Sequence, residues 1–312
     1  PPLAPRAEFA VRYDQKAKTG ALERLDLEVA GIPLSITGTF GGSGEAFTAR
    51  GRISAERITA GQLLALAPQE TLDALQDVAI SGEAALDCDL DLSPAREVPL
   101  EYTARCTVKD LTVEPRDATA NLVIAAAAIE VVPDRAVIDI TEGTAGGEPF
   151  TGRVEVVDFL HPRFDGRLQG AIDLALARPF LDPALEAELG GRATFETTFD
   201  GPVEDPDLIE ASGTLVISGL RLAAAPLPEA IEKMDGTIDF DRRTIRLREV
   251  RARTASSDFA LDGTLRDPLP YFLPPDLRAE EPEGPLPTVE FSLRSGRLDI
   301  DRLFPPEDAA TE

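Results

Sequence analysis

The fold is decided by the segment Asp235-Gly-Thr-Ile-Asp-Phe-Asp-Arg-Arg-Thr-Ile-Arg-Leu-Arg-Glu-Val, which is followed shortly by Ser257-Asp-Phe-Ala-Leu-Asp-Gly-Thr-Leu. Apolar residues alternate with charged residues in both parts, as in strands that have one apolar face and one solvated face. The alternation is interrupted at the polar run Asp241-Arg-Arg and then resumes, which indicates a strand, a turn and a returning strand. The segment therefore predicts antiparallel β structure.

The same pattern occurs in two earlier copies. One is Arg135-Ala-Val-Ile-Asp-Ile-Thr-Glu-Gly, followed by Gly147-Glu-Pro-Phe-Thr-Gly-Arg-Val-Glu-Val, and the first is Ala21-Leu-Glu-Arg-Leu-Asp-Leu-Glu-Val, followed by Gly31-Ile-Pro-Leu-Ser-Ile-Thr-Gly-Thr-Phe. Each copy leads into a Gly-x-hydrophobe segment and then a short helical piece, at Gly51, Gly170 and Gly296. A repeated β unit with no catalytic residue at a fixed position favours a binding surface, such as a scaffold or groove, over an enzyme.

The order of these copies predicts one continuous array of β-repeat units. A partial unit with a short helix covers residues 1–78, and two full units cover residues 79–189 and 190–312. A Pro-rich loop is predicted at 267–287, inside the last unit. Short helical segments are predicted at residues 60–67, 69–76, 179–189, 228–234 and 300–304.

Composition excludes several classes of protein. The formal net charge of −25 and a pI near 4.4 disfavour binding to nucleic acid and to anionic membrane surfaces. The longest apolar run, Leu122–Ile129, ends at Glu130 and is too short to span a bilayer. The chain starts with Pro-Pro-Leu-Ala-Pro-Arg, which is typical of a linker, so we expect a segment of a longer protein whose N-terminal anchor is missing.

The two cysteines allow two interpretations. A hairpin centred near residue 97 would place Cys88 opposite Cys106, close enough for a disulfide and hence for an oxidising compartment such as the periplasm. The alternative is a pair of buried thiols that fill a β core. A zinc site is not expected, because the chain has two cysteines and one histidine.

No catalytic, metal or cofactor site is predicted. His161 has no matching nucleophile, and Gly41-Gly-Ser-Gly lacks the lysine and the helix of a phosphate-binding loop. Asp87, Asp89 and Asp91 form a carboxylate row on one strand face. A calcium loop needs ligands that converge from a tight turn, so a solvated strand face explains the row better.

The strongest positive signal is a set of apolar residues that share strand faces. Such a face either closes over a second layer as an ordinary core or holds an apolar ligand, and the pattern leaves both open. The candidate groove residues are Leu25, Leu27, Ile138, Ile140, Phe195, Leu215, Ile217, Ile238, Phe240, Ile245, Leu247, Phe259 and Leu261.

The run from Pro228 to Val250, with Ser257–Leu265, resembles the AsmA-like family of bacterial envelope proteins. The later Gly296-Arg-Leu-Asp-Ile-Asp-Arg-Leu-Phe is similar to the segment that closes the family's repeat units. The resemblance covers residues 190–304 well and residues 1–189 more weakly, through the internal repeat. Its motif consists of hydrophobic alternation and placed glycines, without invariant chemistry.

The resemblance implies a mainly β fold in which repeated antiparallel strands form an elongated, curved, taco-like sheet with an apolar inner face and a few short helices. It implies a periplasmic protein anchored in the inner membrane, whose apolar groove carries phospholipid or another acyl-chain ligand for outer-membrane biogenesis. It implies neither a cofactor nor catalysis. The alternative is an envelope scaffold that holds its partners by exposed sheet edges, without lipid.

Overall fold

The fold is a sheet of sixteen strands that neighbour one another in chain order. The computed structural model describes residues 7–65, 78–96, 98–115, 121–176, 188–203, 208–225, 227–267 and 286–303. The first eight strands are β1 Ala7–Asp14, β2 Thr19–Val29, β3 Ile32–Gly41, β4 Thr48–Thr59, β5 Val78–Leu92, β6 Leu100–Pro115, β7 Leu122–Val132 and β8 Arg135–Ala145. The other eight are β9 Glu148–Val157, β10 Arg163–Asp173, β11 Glu188–Pro202, β12 Glu210–Ala223, β13 Ile231–Phe240, β14 Thr244–Arg253, β15 Asp258–Arg266 and β16 Thr288–Arg294. The predicted mainly β, antiparallel class is confirmed.

The chain divides into two compact units. The first contains residues 1–144 and 151–164, and the second contains residues 145–150 and 165–312. The three repeat units that the sequence predicts remain a prediction. Two of their starting points nevertheless lie next to strand starts, because β5 begins at Val78 and β11 at Glu188.

Two β-bulges repeat the same geometry in the two units. Gly82 interrupts the register of β5 beside Asp110, and Gly191 interrupts that of β11 beside Gly219. Gly82 and its counterpart Gly191 are 109 residues apart, and so are Asp110 and its counterpart Gly219. The φ angles also correspond, at 135° and 118° for the first pair and at 51° and 61° for the second. The bulges therefore support the internal duplication that the sequence suggests.

The repeat predicts a stabilising substitution at Asp110. This residue has the left-handed backbone conformation that its counterpart Gly219 adopts without a side chain. We expect Asp110→Gly to raise the free energy of unfolding by about 0.5–1 kcal/mol. The reciprocal change, Gly219→Ala, should lower it by about 1 kcal/mol. Urea denaturation of both variants checks the pair, and the same sign for both would contradict it.

Two residues with a left-handed backbone are tied to the neighbouring strand by aspartate. The N–H of Gly219 donates to Asp235 at 2.8 Å, and the N–H of Glu249 donates to Asp262 at 2.8 Å. The pKa of Asp235 is lowered, first by its hydrogen bond from Lys233 and then by the N–H of Gly219. The carboxylates thus satisfy backbone donors that the bulged ladder leaves unpaired.

Helical turns follow β4 and β16, and side chains cap both. Helix α1, Ala60–Leu64, starts at a capping box formed by Thr59 and Gln62. Helix α2, Ile300–Leu303, starts at Asp299, which accepts a hydrogen bond from the N–H of Arg302 at 3.2 Å. Both were predicted as helical, although α1 is shorter than expected. The helices predicted at 69–76 and 179–189 lie outside the described residues, apart from Glu188 and Leu189, which belong to β11.

Two sequence predictions about these segments are wrong. Residues 228–234 do not form a helix, because Ile231 starts β13 and Met234 pairs with Ala252 of β14. Gly51 does not occupy the same position as Gly296 relative to the helix that follows. It lies inside β4, eight residues before the cap Thr59, whereas Gly296 precedes its cap Asp299 by three residues.

The fully buried core of the described chain is small. One cluster joins Ile32, Ala55, Ile58 and Ala84, with Leu34, Leu86 and Cys106 packed against it. Helix α1 contacts β4 and β5 beside this cluster. Most other apolar residues in the strands are only half-buried. Among the described helices, none has the length and apolar character needed to cross a membrane.

Candidate apolar binding face

The second unit presents a row of apolar residues that are directly opposed across four strands. Phe195 of β11 pairs with Leu215 of β12, which pairs with Ile238 of β13, and Ile238 pairs with Leu247 of β14. Directly opposed residues of antiparallel strands point to the same face and contact one another. The row therefore runs across the strands, perpendicular to the chain direction.

The other predicted residues of this unit lie on the same face. Ile217 and Phe240 are each two positions from a member of the row, and Phe240 pairs with Ile245. Leu261 pairs with Val250 and Phe259 with Ala252, beyond a bulge in β14 that keeps the apolar residues on one side. The register thus brings all nine predicted residues of this unit together on what we call the second apolar face. Only Ile217 among the nine is fully buried.

The first unit has an equivalent row over seven strands, which we call the first apolar face. It contains the predicted Leu25, and Leu27 lies two positions further along β2 and pairs with Leu34. The row consists of Phe9, Leu25, Ile36, Ile53, Cys88, Ala104 and Val131.

Ile138 and Ile140 are the remaining predicted residues, and both belong to β8. They occupy alternate positions, so they share one face of that strand. Asp139 between them points to the opposite face, where it accepts a hydrogen bond from Arg153 at 2.6 Å. Both isoleucines are half-buried.

The cysteine register differs from the prediction by two residues. Cys88 pairs with Ala104 and Cys106 with Leu86, so the expected direct opposition is wrong. Both side chains lie on the first apolar face as free thiols. Diagonal neighbours of this kind are ~7–8 Å apart, beyond the usual disulfide span. Burial raises the pKa of both thiols, with a further contribution at Cys88 from Asp89.

Sequence reasoning missed the apolar residues of the two edge strands. Phe9, Val11 and Tyr13 of β1 pair with β2 on the first apolar face, and Phe9 is 74% exposed. On the second apolar face β16 adds three exposed residues, Val289, Phe291 and Leu293. The signal was present in both strands as period-two alternation, but neither strand belongs to the repeated motif.

The opposite face of the sheet is covered with ion pairs between strands. The row Asp87, Asp89 and Asp91 belongs to it, as the solvated-face interpretation predicts. Their partners are Arg52 for Asp87 at 3.2 Å, Arg105 for Asp89 at 3.4 Å and Arg50 for Asp91 at 3.1 Å. Exposed pairs of this kind contribute little each, but they give this face a solvated surface.

The connection after β16 is held by hydrogen bonds to Ser257 and Asp258 at the start of β15. Asp258 at the start of β15 accepts hydrogen bonds from the N–H groups of Gly296 and Arg297, both at 2.8 Å, and from Ser295. Ser257 beside it is buried and accepts a hydrogen bond from the N–H of Asp299 at 2.9 Å. These contacts fix the segment that leads into α2 against the edge of the second unit.

The hydrogen bonds that Asp258 accepts predict a pH-dependent contribution to the stability of the protein. The backbone hydrogen bond from Arg297, followed by that from Gly296, lowers the pKa of Asp258 below the ordinary 3.8. A lowered folded-state pKa stabilises the protein above the unfolded-state value, and this contribution disappears as the pH falls through the folded-state value. We expect Asp258→Asn to lower the melting temperature at neutral pH, with a difference that shrinks once the pH falls below the ordinary value of 3.8 and is lost below the lowered pKa of Asp258. Asp165→Asn is the control, and a pH-independent difference for Asp258→Asn would contradict this assignment.

The other candidate sites offer no reactive arrangement among the described residues. His161 lies in the turn between β9 and β10, where its backbone N–H donates a hydrogen bond to the carboxylate of Asp158. No group of three or more potential metal ligands occurs in the described ranges. A cavity of about 550 Å³ near the start of β2 has charged and hydroxyl side chains in its lining, including Asp14, Arg50 and Asp91. It differs in character from the two apolar faces.

Comparison of the chain with protein-family models, curated proteins and solved structures finds no significant match. The resemblance to the AsmA-like family therefore stays a prediction. What the molecule itself offers is a pair of apolar faces, each opposed to a charged face.

Proposed function

We propose that this chain carries phospholipid along its apolar β faces in the bacterial periplasm, as part of an AsmA-like protein that is anchored in the inner membrane. The observation that supports this proposal best is the register of the second apolar face. Four large apolar side chains, from Phe195 to Leu247, are directly opposed across β11–β14 and are only half-buried. An ordinary core would bury such a row completely.

The uncovered part of these side chains favours contact with an apolar partner. Apolar surface in water costs about 25 cal/mol per Å², so the part of this row that stays exposed favours an apolar partner. An acyl chain has the matching chemistry, because each methylene that leaves water contributes about 0.8 kcal/mol. Contacts of this kind are non-directional, so a lipid moved along the face keeps its burial without breaking a specific bond.

The opposite face supports the same proposal. Its ion pairs, such as Arg248 with Asp239 at 2.5 Å, connect neighbouring strands and keep that surface solvated. The excess of acidic residues adds solubility, which a protein with an exposed apolar face requires. A sheet that is apolar on one side and charged on the other can hold lipid on one side only.

The direct test is to purify the chain from a bacterial host that exports it to the envelope and to analyse it by native mass spectrometry with lipid extraction. Under the proposal, phospholipid remains bound to the folded protein and is recovered by extraction. A folded protein that carries no lipid, and that does not take up lipid from vesicles, would overturn the lipid proposal.

A second function is favoured by the edge strands. Among the described strands, β1 and β16 each have a neighbour on one side only, and their apolar side chains are exposed. An envelope scaffold that holds partner strands by these edges would use both features without lipid. The lipid-free outcome of the test above, together with capture of a partner strand, distinguishes this function from the first.

A further inference from the structure

Strand β16 is an edge strand, and none of the residues that the structure describes covers its outer side. Its seven residues, Thr288–Arg294, pair with β15 without a register shift, and all seven are exposed. Natural edge strands are commonly shielded by proline, lysine, a bulge or a covering segment. The sequence Thr-Val-Glu-Phe-Ser-Leu-Arg contains neither proline nor lysine, and it is regular. Its outer edge is therefore suited to accept another strand.

The sequence of β16 is complementary to itself in the antiparallel direction. If two copies pair with Ser292 opposite Ser292, Glu290 lies opposite Arg294 in both halves of the pair. On the other face, Phe291 lies opposite Leu293, again twice. Opposite charges and large apolar residues are the pairs that stabilise antiparallel strands, so the five positions from Glu290 to Arg294 all have a suitable partner in this register.

The side chains needed for this pairing are not engaged elsewhere. Glu290 and Arg294 have no ion pair or side-chain hydrogen bond in the described part of the chain, where they face Thr264 and Ala260 of β15. Phe291 is 67% exposed and Leu293 is 46% exposed. A second copy would satisfy both charges and cover both apolar side chains.

The other edge strand is less suited to the same role. It contains the similar sequence Glu8-Phe-Ala-Val-Arg12, but its register with β2 shifts between Ala10 and Val11. Arg12 is already paired with Glu23 at 2.8 Å. Because the pairing of β1 with β2 contains a bulge and Arg12 already has a partner, β16 is the better candidate for pairing with a second copy.

We propose that β16 pairs antiparallel with β16 of a second copy of this chain, across a two-fold axis at Ser292, with Glu290 of each copy bound to Arg294 of the other. The two-fold axis is perpendicular to the paired strands, so both copies present their apolar faces on the same side. Such an isologous contact closes at two copies and does not propagate. The proposal does not depend on lipid binding.

Charge reversal tests the pairing, and sedimentation velocity over a wide concentration range measures it. We expect a reversible dimer for the unchanged chain. Glu290→Arg and Arg294→Glu should each weaken dimerisation by about tenfold or more, because each places like charges opposite one another twice. The double variant should dimerise again, and an equimolar mixture of the two single variants should form heterodimers.

The controls separate this contact from other edges and from misfolding. Glu8→Arg changes the corresponding position on β1 and should leave the dimer unaffected. Circular dichroism shows whether each variant is folded. Heterodimer formation by the two single variants of β16 shows independently that both of them are folded. A chain that stays monomeric at all concentrations, or a dimer that is insensitive to Glu290→Arg or sensitive to Glu8→Arg, would overturn the proposal.

Discussion

Leu215→Asp is expected to remove bound phospholipid from the protein, whereas Val216→Asp should leave it bound. Leu215 is the second member of the apolar row, between Phe195 and Ile238, so a carboxylate there places a charge against an acyl chain. A charge that loses water without a partner is strongly unfavourable, so lipid is excluded from this part of the face. The effect should approach complete loss at this position.

Val216 is a close control because it is the next residue in the same strand. It pairs with Thr194 and Thr237 on the charged face and is 41% exposed. Val216→Asp adds the same charge as Leu215→Asp, but it places that charge on the charged face of the sheet and not on the apolar face. Native mass spectrometry and quantification of extracted lipid compare the two variants, with circular dichroism to show that both are folded.

The lipid proposal makes the same prediction at a second site. Ile245→Asp with Leu247→Asp changes β14 on the same face, so lipid should be lost again. If the folded Leu215→Asp and β14 variants retain as much lipid as Val216→Asp, the apolar face is not the binding surface. If no protein retains lipid, including the unchanged chain, the scaffold function is favoured.

Gly191→Ala should destabilise the second unit by about 2–4 kcal/mol, one of the largest effects expected for a single methyl group in this chain. A Cβ atom at this position would lie 2.7 Å from the Cα of Leu220 and 2.8 Å from the carbonyl oxygen of Gly219. Both atoms belong to the backbone of β12, so the clash cannot be relieved by rotating a side chain. The φ angle of 118° adds conformational strain for alanine.

The neighbouring Gly190 supplies the matched control. A Cβ atom there would meet nothing within 4 Å, and its φ lies outside the left-handed region. Gly190→Ala should therefore be neutral, or stabilising by up to about 1 kcal/mol through the unfolded state. Chemical denaturation of the two variants gives the comparison.

The internal repeat extends this prediction to the first unit. Gly82→Ala should behave like Gly191→Ala, because its Cβ would lie 2.6 Å from the Cα of Leu111. Equal effects at Gly190 and Gly191 would show that the bulge tolerates a side chain. The structural equivalence of the two bulges would then carry no energetic consequence.

Period-two alternation was sufficient to predict the strands and the apolar faces. Residues such as Phe195, Leu215 and Ile238 could be placed on a common face because side chains alternate strictly along a strand. Gly82 and Gly191 also start similar sequences, Gly-Glu-Ala-Ala and Gly-Arg-Ala-Thr, so their correspondence can be read from the chain. These features depend on neighbours in the chain, so the order of residues is enough to identify them.

The pairing between strands could not be obtained in the same way. Cys88 lies opposite Ala104 and not Cys106, because the length of the connection after β5 sets the register, and the alternation repeats every two residues. The segment 228–234 has a helical composition, but pairing of Ile231 with Leu222 and of Met234 with Leu220 and Ala252 makes it a strand. Tertiary hydrogen bonds outweigh local helix propensity in such a short segment.

Alternation along the chain determined which side chains share a face, since that depends only on strand geometry. Tertiary structure alone decided which of them are opposed, how far they are covered, and that β1 and β16, with their exposed phenylalanines, lie at the two edges of the described sheet. The physical reason is that coverage depends on residues distant in sequence. The same alternating pattern is compatible with a closed core and with an open face, and only the positions of the other strands distinguish the two.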